Sequence, residues 1–316
     1  MIIPEKEKTI IDAVILWVDG TEEKHKNKIL PYVENKESVH EKRFRTRYDQ
    51  VDEIKFTIDS IIKFAPFVRK IHIITDDQKP NFLKNKDTIE DYAKVNIVDH
   101  KVVFDNYQNY LPTFNCRSIE TCMYRIPDLS EHFIYFNDDF FLINPTKSTD
   151  FFINKMPVLR GKWLKFDENI FYKKFRKIKF GHKSAQQKAA RLIGLNKYYN
   201  FKHTPHPLRK STFEHYFKSN PEVFLENISY KFRNSNQFTP QGLANHIEIK
   251  NNTCTQKKEL QLMYYRSFKK PIFWYLFKFK NVHEEILFLG LQSLDKCPPK
   301  ILKFLLNWLK KRTFKV

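Results

Sequence analysis

Ile11-Asp-Ala-Val-Ile-Leu-Trp-Val18, followed by Asp19-Gly20, is the stretch that decides the fold of this 316-residue chain. Its nearly continuous apolar run is typical of a strand that is buried on both faces of a parallel sheet. Asp and Gly are common in tight turns, so the pair predicts a loop directly after the strand. We therefore predict a buried parallel strand that opens into a loop at its carboxyl end.

Further short apolar runs follow, with helical patterns between them. They predict strands at 70–75, 95–98 and 132–136. Apolar residues at three-to-four spacing predict a helix that begins near 51 and ends before Pro66. A second helix is predicted over 115–125, with Asn115 as its cap. Strands that alternate with helices indicate an α/β fold whose parallel sheet is wound in the Rossmann manner.

Three of these strands end in acidic loops, at Asp19, at Asp76-Asp77 and at Asp138-Asp139. Ligands of open α/β sheets bind at the carboxyl ends of the strands. Asp is also an ordinary turn residue, which explains any one loop equally well but three aligned loops less well. The doublet Asp138-Asp139 offers the hard oxygen ligands that Mg²⁺ needs when it binds a diphosphate.

The two halves of the chain differ in charge. Residues 1–150 contain 22 Lys and Arg against 26 Asp and Glu, whereas residues 151–316 contain 34 against 10. This asymmetry points to a polyanionic partner of the second half: nucleic acid, anionic lipid headgroups or phosphorylated substrates. Any single Lys is better explained as part of a solvated surface. Helices are predicted in this half near 184–195, 211–217, 221–225 and 241–249.

Two segments of the basic half carry candidate catalytic residues. His203-Thr-Pro-His206-Pro-Leu-Arg209-Lys210 combines two histidines with two cations, and its prolines stiffen it. A rigid basic loop of this kind suits phosphate binding and proton transfer, although a surface loop with incidental histidines is an equal alternative. Arg233, after Phe232, is a residue type that grips phosphate in a bidentate fork. Arg43, Arg45 and Arg47 form a similar cationic run.

Several classes of protein are not indicated. The four cysteines form no CxxC pair, and no window reaches eighteen apolar residues, so neither a zinc finger nor a transmembrane helix is expected. The charged amino-terminal residues lack the apolar core of a signal peptide, and we expect a cytoplasmic protein. A basic amphipathic helix is predicted from 299 onward. It either contacts the inner face of the membrane peripherally or packs on the domain.

The chain resembles the Stealth proteins, which include bacterial capsule hexose-1-phosphate transferases and the animal lysosomal-enzyme N-acetylglucosamine-1-phosphotransferase. The segments that carry the resemblance stand in the family's order, at 11–20, 43–45, 60–76, 111–120, 135–139, 203–206 and 232–235. The family's fourth block has at best a degenerate counterpart at 287–292.

The resemblance implies a GT-A-like α/β core over 1–150 that binds a nucleotide-sugar through a mostly parallel sheet flanked by helices. A basic, mainly helical half over 151–298 would complete the active site, and the amphipathic helix would occupy 299–316. The implied reaction moves a sugar-1-phosphate from a UDP-sugar such as UDP-GlcNAc to a hydroxyl of an anionic glycan or glycolipid acceptor. UMP would leave, with Mg²⁺ or Mn²⁺ as cofactor, and no nucleic acid would be a partner.

The resemblance also implies roles for individual residues. Asp138 and Asp139 would hold the metal, or one of them would serve as base. His203 would act in proton transfer or donate to the phosphoryl group, with His206 in support, and Arg233 would clamp the diphosphate together with Arg45. The displacement would either be direct or pass through a covalent phospho-histidine. The residues implied to contact substrate are Asp19, Gly20, Arg45, Asp76, Asn115 and His206.

Three other functions remain open from sequence. A retaining glycosyltransferase would use the same acidic doublet and donor but would release UDP. A nucleic-acid-binding module would use the basic charge with its interleaved aromatic residues, although the acidic strand ends would repel phosphates. A membrane-surface scaffold would use the C-terminal helix. The transferase requires one arrangement above all: Asp138 and Asp139 must face His203 and Arg233 across a shared cleft.

Overall fold

The computed structural model of the protein describes residues 9–37, 41, 44, 48–84, 90–171 and 181–313. The strands, in chain order from β1 to β12, are Ile11–Leu16, Val68–Thr75, Val95–Asp99, His132–Asn137, Phe140–Leu142, Phe152–Ile153, Met156–Leu164, Tyr198–Phe201, His206–Arg209, Thr255–Lys257, Leu262–Tyr265 and Phe288–Leu291. The α-helices, from α1 to α10, are Glu23–Ile29, Glu53–Phe64, His100–Val103, Cys116–Cys122, His182–Leu192, Lys210–Ser219, Pro221–Ile228, Pro240–Lys250, Ile272–Lys280 and Pro299–Thr313. Single turns of 3-10 helix lie at Leu30–Tyr32, Asn81–Leu83, Gln108–Tyr110, Met123–Arg125, Ser148–Asp150, Asp167–Asn169 and Leu294–Lys296.

The main sheet has the strand order β3-β2-β1-β4-β9. Strands β1 to β4 run parallel, and β9 pairs with β4 in the antiparallel direction. The four strands predicted in the first half are all present, and together they build the mostly parallel, Rossmann-like sheet that the sequence indicated. The predicted α/β fold class is therefore confirmed.

Successive residues of β1 point to opposite sides of the sheet, so apolar side chains lie on both faces. Helices cover both of these faces. Ile11, Ala13 and Ile15 are buried against Ile58 of α2 and its neighbours. Val14 is buried on the other face, in a cluster that includes residues of α4, α6 and α8. Every residue from 11 to 15 is fully buried, which is why the strand reads as a continuous apolar run.

The second half is mainly helical, as predicted, and helices α5 to α8 lie close to the predicted positions. It also supplies strands that the sequence did not indicate. The segment 203–210, predicted as a loop, contains β9, whose His206 pairs with Tyr135 of β4. Strand β12 pairs with β5 in a second sheet. Strands from both sides of residue 150 thus share two sheets, and the division of the chain into domains at that position stays a prediction.

Helix α10 packs on the domain, which is one of the two arrangements that the sequence left open for it. Ile301, Leu305 and Leu309 are buried in a core cluster that includes residues of α9 and β12. The indole nitrogen of Trp308 donates a hydrogen bond to the carbonyl oxygen of Phe279, 3.1 Å away. The apolar face of the helix is already covered by the protein itself. Within the described ranges, no helix combines the length and the apolar character that crossing a bilayer demands.

A buried ion pair joins β1 and β2 near their amino ends. The Arg69 guanidinium donates to both carboxylate oxygens of Asp12, at 2.9 and 2.7 Å, and the backbone N–H groups of Lys70 and Ser130 donate to them as well. Burial alone would raise the pKa of Asp12. The neighbouring His72, Arg69 and Ser130 N–H outweigh that effect and hold this pKa below its ordinary value.

Replacing Asp12 by Ala is expected to lower the free energy of unfolding at pH 7 by roughly 3 kcal/mol, since two buried N–H groups and the Arg69 charge lose their partner. The loss is measured by urea denaturation. Because the folded-state pKa is depressed, the contribution is complete above the unfolded pKa of about 3.9 and is lost progressively as the pH falls from there through the folded-state pKa. The exposed Asp128, which also pairs with Arg69 and Lys70, is the control. A loss for Asp128→Asn as large as that for Asp12→Ala would contradict this account.

Candidate active site

A cavity of about 720 Å³ opens at the carboxyl ends of the parallel strands. Trp17 and Val18 follow β1, Asp76 follows β2, and Asp138 and Asp139 follow β4, and all of them line this cavity. The basic half contributes His203, His206 and Arg233 to the lining of the same cavity. The structure thus brings the carboxylates and the histidine and arginine segments to one shared cavity, although their separation in sequence is large.

The acidic doublet occupies the tight turn between β4 and β5. The Thr57 hydroxyl donates to the Asp138 carbonyl at 2.6 Å, and the Leu291 N–H donates to the Asp139 carbonyl at 3.1 Å. The backbone of the turn is therefore fixed from two other elements, α2 and the end of β12. This fixes the direction in which both side chains leave the sheet.

Carboxyl groups crowd this end of the sheet. Burial raises the pKa of Asp138 to about 6, and burial together with Asp138 and Glu53 raises the pKa of Asp139 well above its usual range. Burial and the charge of Asp138 raise the pKa of Glu53, on α2, to about 8. Ionisation of these carboxyl groups is unfavourable when no cation is near. A bound cation stabilises the ionised form, so such a cluster suits a metal site.

A divalent cation of the Mg²⁺ type fits these residues. In the part of the chain that the structure describes, no group of three or more His, Cys, Asp or Glu side chains is arranged to hold a metal. Mg²⁺ does not need such a cage, since it commonly takes one or two carboxylates and completes its shell with water and phosphate oxygens. Asp138 and Asp139 supply that number of carboxylates at the wall of the cavity.

Three histidines lie close together in the cavity lining. The His203 ring stacks on the rings of Tyr264 and Phe140, with centroids 5.1 and 6.2 Å apart, and it lies 4.6 Å from the ring of His182. Burial, with smaller effects from Arg266 and Lys202, lowers the pKa of His203 to about 4. Its imidazole is therefore neutral near pH 7 and is able to accept a proton.

His206 and His182 share this character. Burial, followed by the effect of His203, lowers the pKa of His206 to about 3 and that of His182 well below its ordinary value. His206 belongs to β9, so the main sheet holds it in place beside Tyr135. The segment from His203 to His206 therefore leads into β9. His206 belongs to the main sheet, and His203 precedes the strand.

Arg233 lies next to the amino end of α4. Its guanidinium donates to the Cys116 sulfur at 3.1 Å while the residue remains exposed. Glu120 is buried behind it and accepts a hydrogen bond from the Tyr135 hydroxyl at 2.9 Å. A second guanidinium, that of Arg117, donates to the carbonyl oxygens of Asn234 and Gly181. The cavity wall therefore presents two guanidinium groups from α4 and the loop after α7.

Asn115, whose role in binding substrate stays a prediction, is not among the described residues that line the cavity. It is fully buried. Its amide nitrogen donates to the carbonyl oxygens of Tyr230 and Phe232 and to the Gln237 side chain, at 2.8 to 3.1 Å, and its oxygen accepts from the Arg117 N–H. Both amide hydrogens and one lone pair of the oxygen are thus used within the protein. Asn115 caps α4, as predicted, and positions the loop that carries Arg233.

Asp19 and Gly20 are likewise not among the described residues that line the cavity, and their substrate contact stays a prediction. The Asp19 carboxylate accepts from the Thr21 N–H and hydroxyl, at 2.8 and 2.6 Å, and its backbone pairs with the Gln78 side chain. A Cβ at Gly20 would lie 2.4 Å from the Cβ of Tyr48. Both residues shape the loop that presents Trp17 and Val18.

The two remaining predicted contacts have different outcomes. Asp76 lines the cavity, and its carboxylate accepts a hydrogen bond from the Lys28 ammonium at 2.7 Å. Arg45 lies outside the described residues, as do Arg43 and Arg47. The catalytic roles of Asp138, Asp139, His203 and Arg233 remain predictions that the shared cavity makes geometrically possible.

Sequence analysis missed several residues of the cavity wall, among them His182, Tyr264 and Arg266. His182 begins a helix after a stretch without a clear pattern, and nothing in the sequence connects it to His203. Tyr264 belongs to β11 and Arg266 follows it, in a region of the sequence where no motif was found. Glu120 also lines the cavity. It lies in the segment 111–120, and the resemblance of that segment to the family was the one signal in the sequence for a missed residue.

Comparison with known proteins matches the first half of the chain to the family model described as Stealth protein CR2, conserved region 2, over residues 47–160. A capsular polysaccharide phosphotransferase of Haemophilus influenzae is 41% identical over 144 residues, which cover 45% of this chain and 37% of that protein. One from Actinobacillus pleuropneumoniae is 33% identical over 240 residues, covering 73% of this chain and 62% of that protein. The match thus spans less than two thirds of the length of these curated relatives.

Similarity to solved structures is weaker. A galactosyltransferase, LgtC, crystallised with donor and acceptor sugar analogs, aligns over 96% of this chain and 97% of its own, with a TM-score of 0.45 and 9% identity. An inositol-1-phosphate CTP transferase from T. maritima aligns over 96% and 98%, with a TM-score of 0.40 and 10% identity. The sequence matches are far more specific: by its conserved region 2 and by its identity to these phosphotransferases, the chain belongs to the Stealth family.

Proposed function

We propose that this protein transfers a sugar-1-phosphate from a UDP-sugar to a hydroxyl of a cell-surface glycan, forming a phosphodiester and releasing UMP. One observation carries the proposal: Asp138, Asp139, His203 and Arg233 line a single cavity of about 720 Å³. The cavity has room for a nucleotide-sugar. Relatives named capsular polysaccharide phosphotransferases support a glycan as the acceptor.

The donor would bind with its diphosphate in this cavity. Arg233 would grip phosphate oxygens, and Arg117 adds a second positive charge to the cavity lining. Asp138 and Asp139 would hold Mg²⁺ or Mn²⁺. When bound, the metal neutralises charge that develops on the diphosphate as UMP leaves.

The acceptor hydroxyl oxygen would form a bond to the β-phosphorus, and the bond from that phosphorus to the bridging oxygen would break. UMP would leave with the bridging oxygen. His203, neutral near pH 7, would accept the hydroxyl proton. The flanking Tyr264 and Phe140 rings hold the imidazole in a fixed plane. Catalysis of this kind comes mainly from positioning and charge stabilisation.

The test is an incubation of the purified protein with a panel of UDP-sugars, Mg²⁺ and an acceptor glycan, with the nucleotide product identified by chromatography. UMP with a new phosphodiester supports the proposal. UDP identifies a retaining glycosyltransferase instead. Salt-sensitive oligonucleotide binding without turnover of any UDP-sugar would replace both readings with a nucleic-acid-binding protein.

Gly290 tests whether the rings around His203 matter. A Cβ on this residue of β12 would lie 2.6 Å from the Tyr264 ring and 2.7 Å from the Phe140 ring, and both rings stack on His203. Gly290→Ala is expected to lower kcat for UMP release by roughly tenfold or more, because small displacements of a catalytic group are costly. Donor affinity, measured by calorimetry, should change little. An unchanged kcat in a variant that stays folded would show that the stacking is dispensable.

A further inference from the structure

Helix α9 presents an apolar face that nothing in the described chain covers. Tyr275 and Phe279 anchor its inner side, and the Phe279 ring meets the Trp308 ring edge-on, with centroids 4.9 Å apart. The outer side consists of large apolar side chains that are between 38 and 69% exposed: Ile272, Phe273, Leu276 and Phe277. Of these, the two phenylalanines are the most exposed, at 69 and 65%.

The charge around this face has one sign. Residues 260–283 contain five Lys and Arg and no Asp or Glu. Lys269 and Lys270 precede the helix, Lys278 and Lys280 lie in its last turn, and all four are exposed. An exposed aromatic strip that lysines frame on both sides is complementary to a surface that is apolar inside and anionic outside.

We propose that α9 docks this protein on an anionic lipid bilayer. The outward-facing Phe273 and Phe277 would enter the boundary between headgroups and acyl chains, and the lysines would reach the lipid phosphates. A second copy of the chain fits less well. A symmetric contact through α9 would bring the same lysines of both copies together, and no acidic residue within 260–283 would pair with them.

The docking site is close in sequence to the cavity. Arg266, which lines the cavity, lies six residues before Ile272 in the segment that leads from β11 into α9. A protein held by α9 would therefore keep this part of the cavity wall near the lipid surface. The docking itself does not depend on the proposed reaction, and lipid binding and UMP release are measured separately.

The experiment is co-sedimentation of the full chain with vesicles of phosphatidylglycerol and phosphatidylcholine, and with vesicles of phosphatidylcholine alone. The wild type is expected to bind the anionic vesicles, and high salt is expected to weaken this binding. Phe273→Ser combined with Phe277→Ser should lower the partition coefficient by roughly tenfold or more. Lys269→Glu combined with Lys270→Glu should also lower it. Leu192→Ser, at an exposed apolar residue of α5, should leave it unchanged.

Binding that is equal for the wild type and both double variants, or a wild type that binds neither kind of vesicle, would overturn the proposal. So would a dimer in sedimentation velocity that the double Phe variant converts to a monomer while vesicles remain unbound, because α9 would then join two copies. Thermal melts establish that each variant is folded. Should the double Phe variant fail to fold, the surface lysine variant decides alone.

Discussion

Replacing His203 by Gln is expected to lower kcat for UMP release by about 10²- to 10⁴-fold, the usual contribution of a positioned proton acceptor. Burial and nearby cations keep this imidazole neutral, and its stacking on Tyr264 and Phe140 fixes its plane. Gln retains hydrogen-bonding capacity but cannot take the proton from the acceptor hydroxyl. Affinity for the UDP-sugar should remain within a fewfold of the wild type, since in the proposed mechanism Arg233 and the acidic doublet, not His203, would bind the diphosphate.

The measurement is steady-state release of UMP, combined with donor binding by calorimetry. His215→Gln is the matched control because His215 is exposed on α6 and is not among the cavity-lining residues. A His203→Gln variant with near-wild-type turnover would make this residue structural. Loss of donor binding in parallel with turnover would instead place His203 on the nucleotide and remove it from proton transfer.

The second large effect is expected at the acidic doublet. Asp138→Asn and Asp139→Asn should each reduce Mg²⁺-stimulated activity by about 10³-fold, which corresponds to several kcal/mol of stabilisation of the transition state. Asn preserves the size of each side chain but removes the negative charge. Both carboxyls are half-buried, and Asp138 and Asp139 share this end of the sheet with Glu53, so each loss of charge weakens the attraction for a cation.

This effect is measured as the dependence of UMP release on Mg²⁺ concentration. The curve should shift to higher concentrations or flatten entirely for both variants. Asp105→Asn, at an exposed residue outside the cavity wall, should follow the wild-type curve. Activity that is independent of metal in both doublet variants would exclude Asp138 and Asp139 as ligands, while leaving His203 and Arg233 to be tested on their own.

The fold of the first half could be predicted from local sequence patterns. A run that is buried on both faces, as in Ile11–Leu16, needs no more than its own composition to be recognised. Parallel strands place their carboxyl ends at one edge of a sheet, so Asp76 and Asp138 could be assigned to the same site from sequence alone. The same reasoning selected Asp19, but its carboxylate serves the loop instead, because an Asp after a strand also caps the following turn.

Tertiary contacts decided what local patterns do not contain. Strand β9 has only four residues, two of them before or after a proline, and it forms because β4 offers an open edge. The predicted amphipathic helix at the C-terminus, α10, is present. Only the packing shows that its apolar face lies against the inner side of α9, and that the outer side of α9 is left exposed. An amphipathic pattern states that a face will be covered, without stating by what.

The sequence by itself determined the parallel sheet, its acidic edge and the membership of the chain in the Stealth family, because each depends on residues that are neighbours along the chain or on motifs in a fixed order. Only the tertiary structure decided that His182 meets His203, that Asn115 works behind the cavity and that Glu53 crowds the doublet. These relations join residues that are 21 to 117 positions apart or act through burial. Distances of that kind are set by how the elements pack, and no local pattern records them.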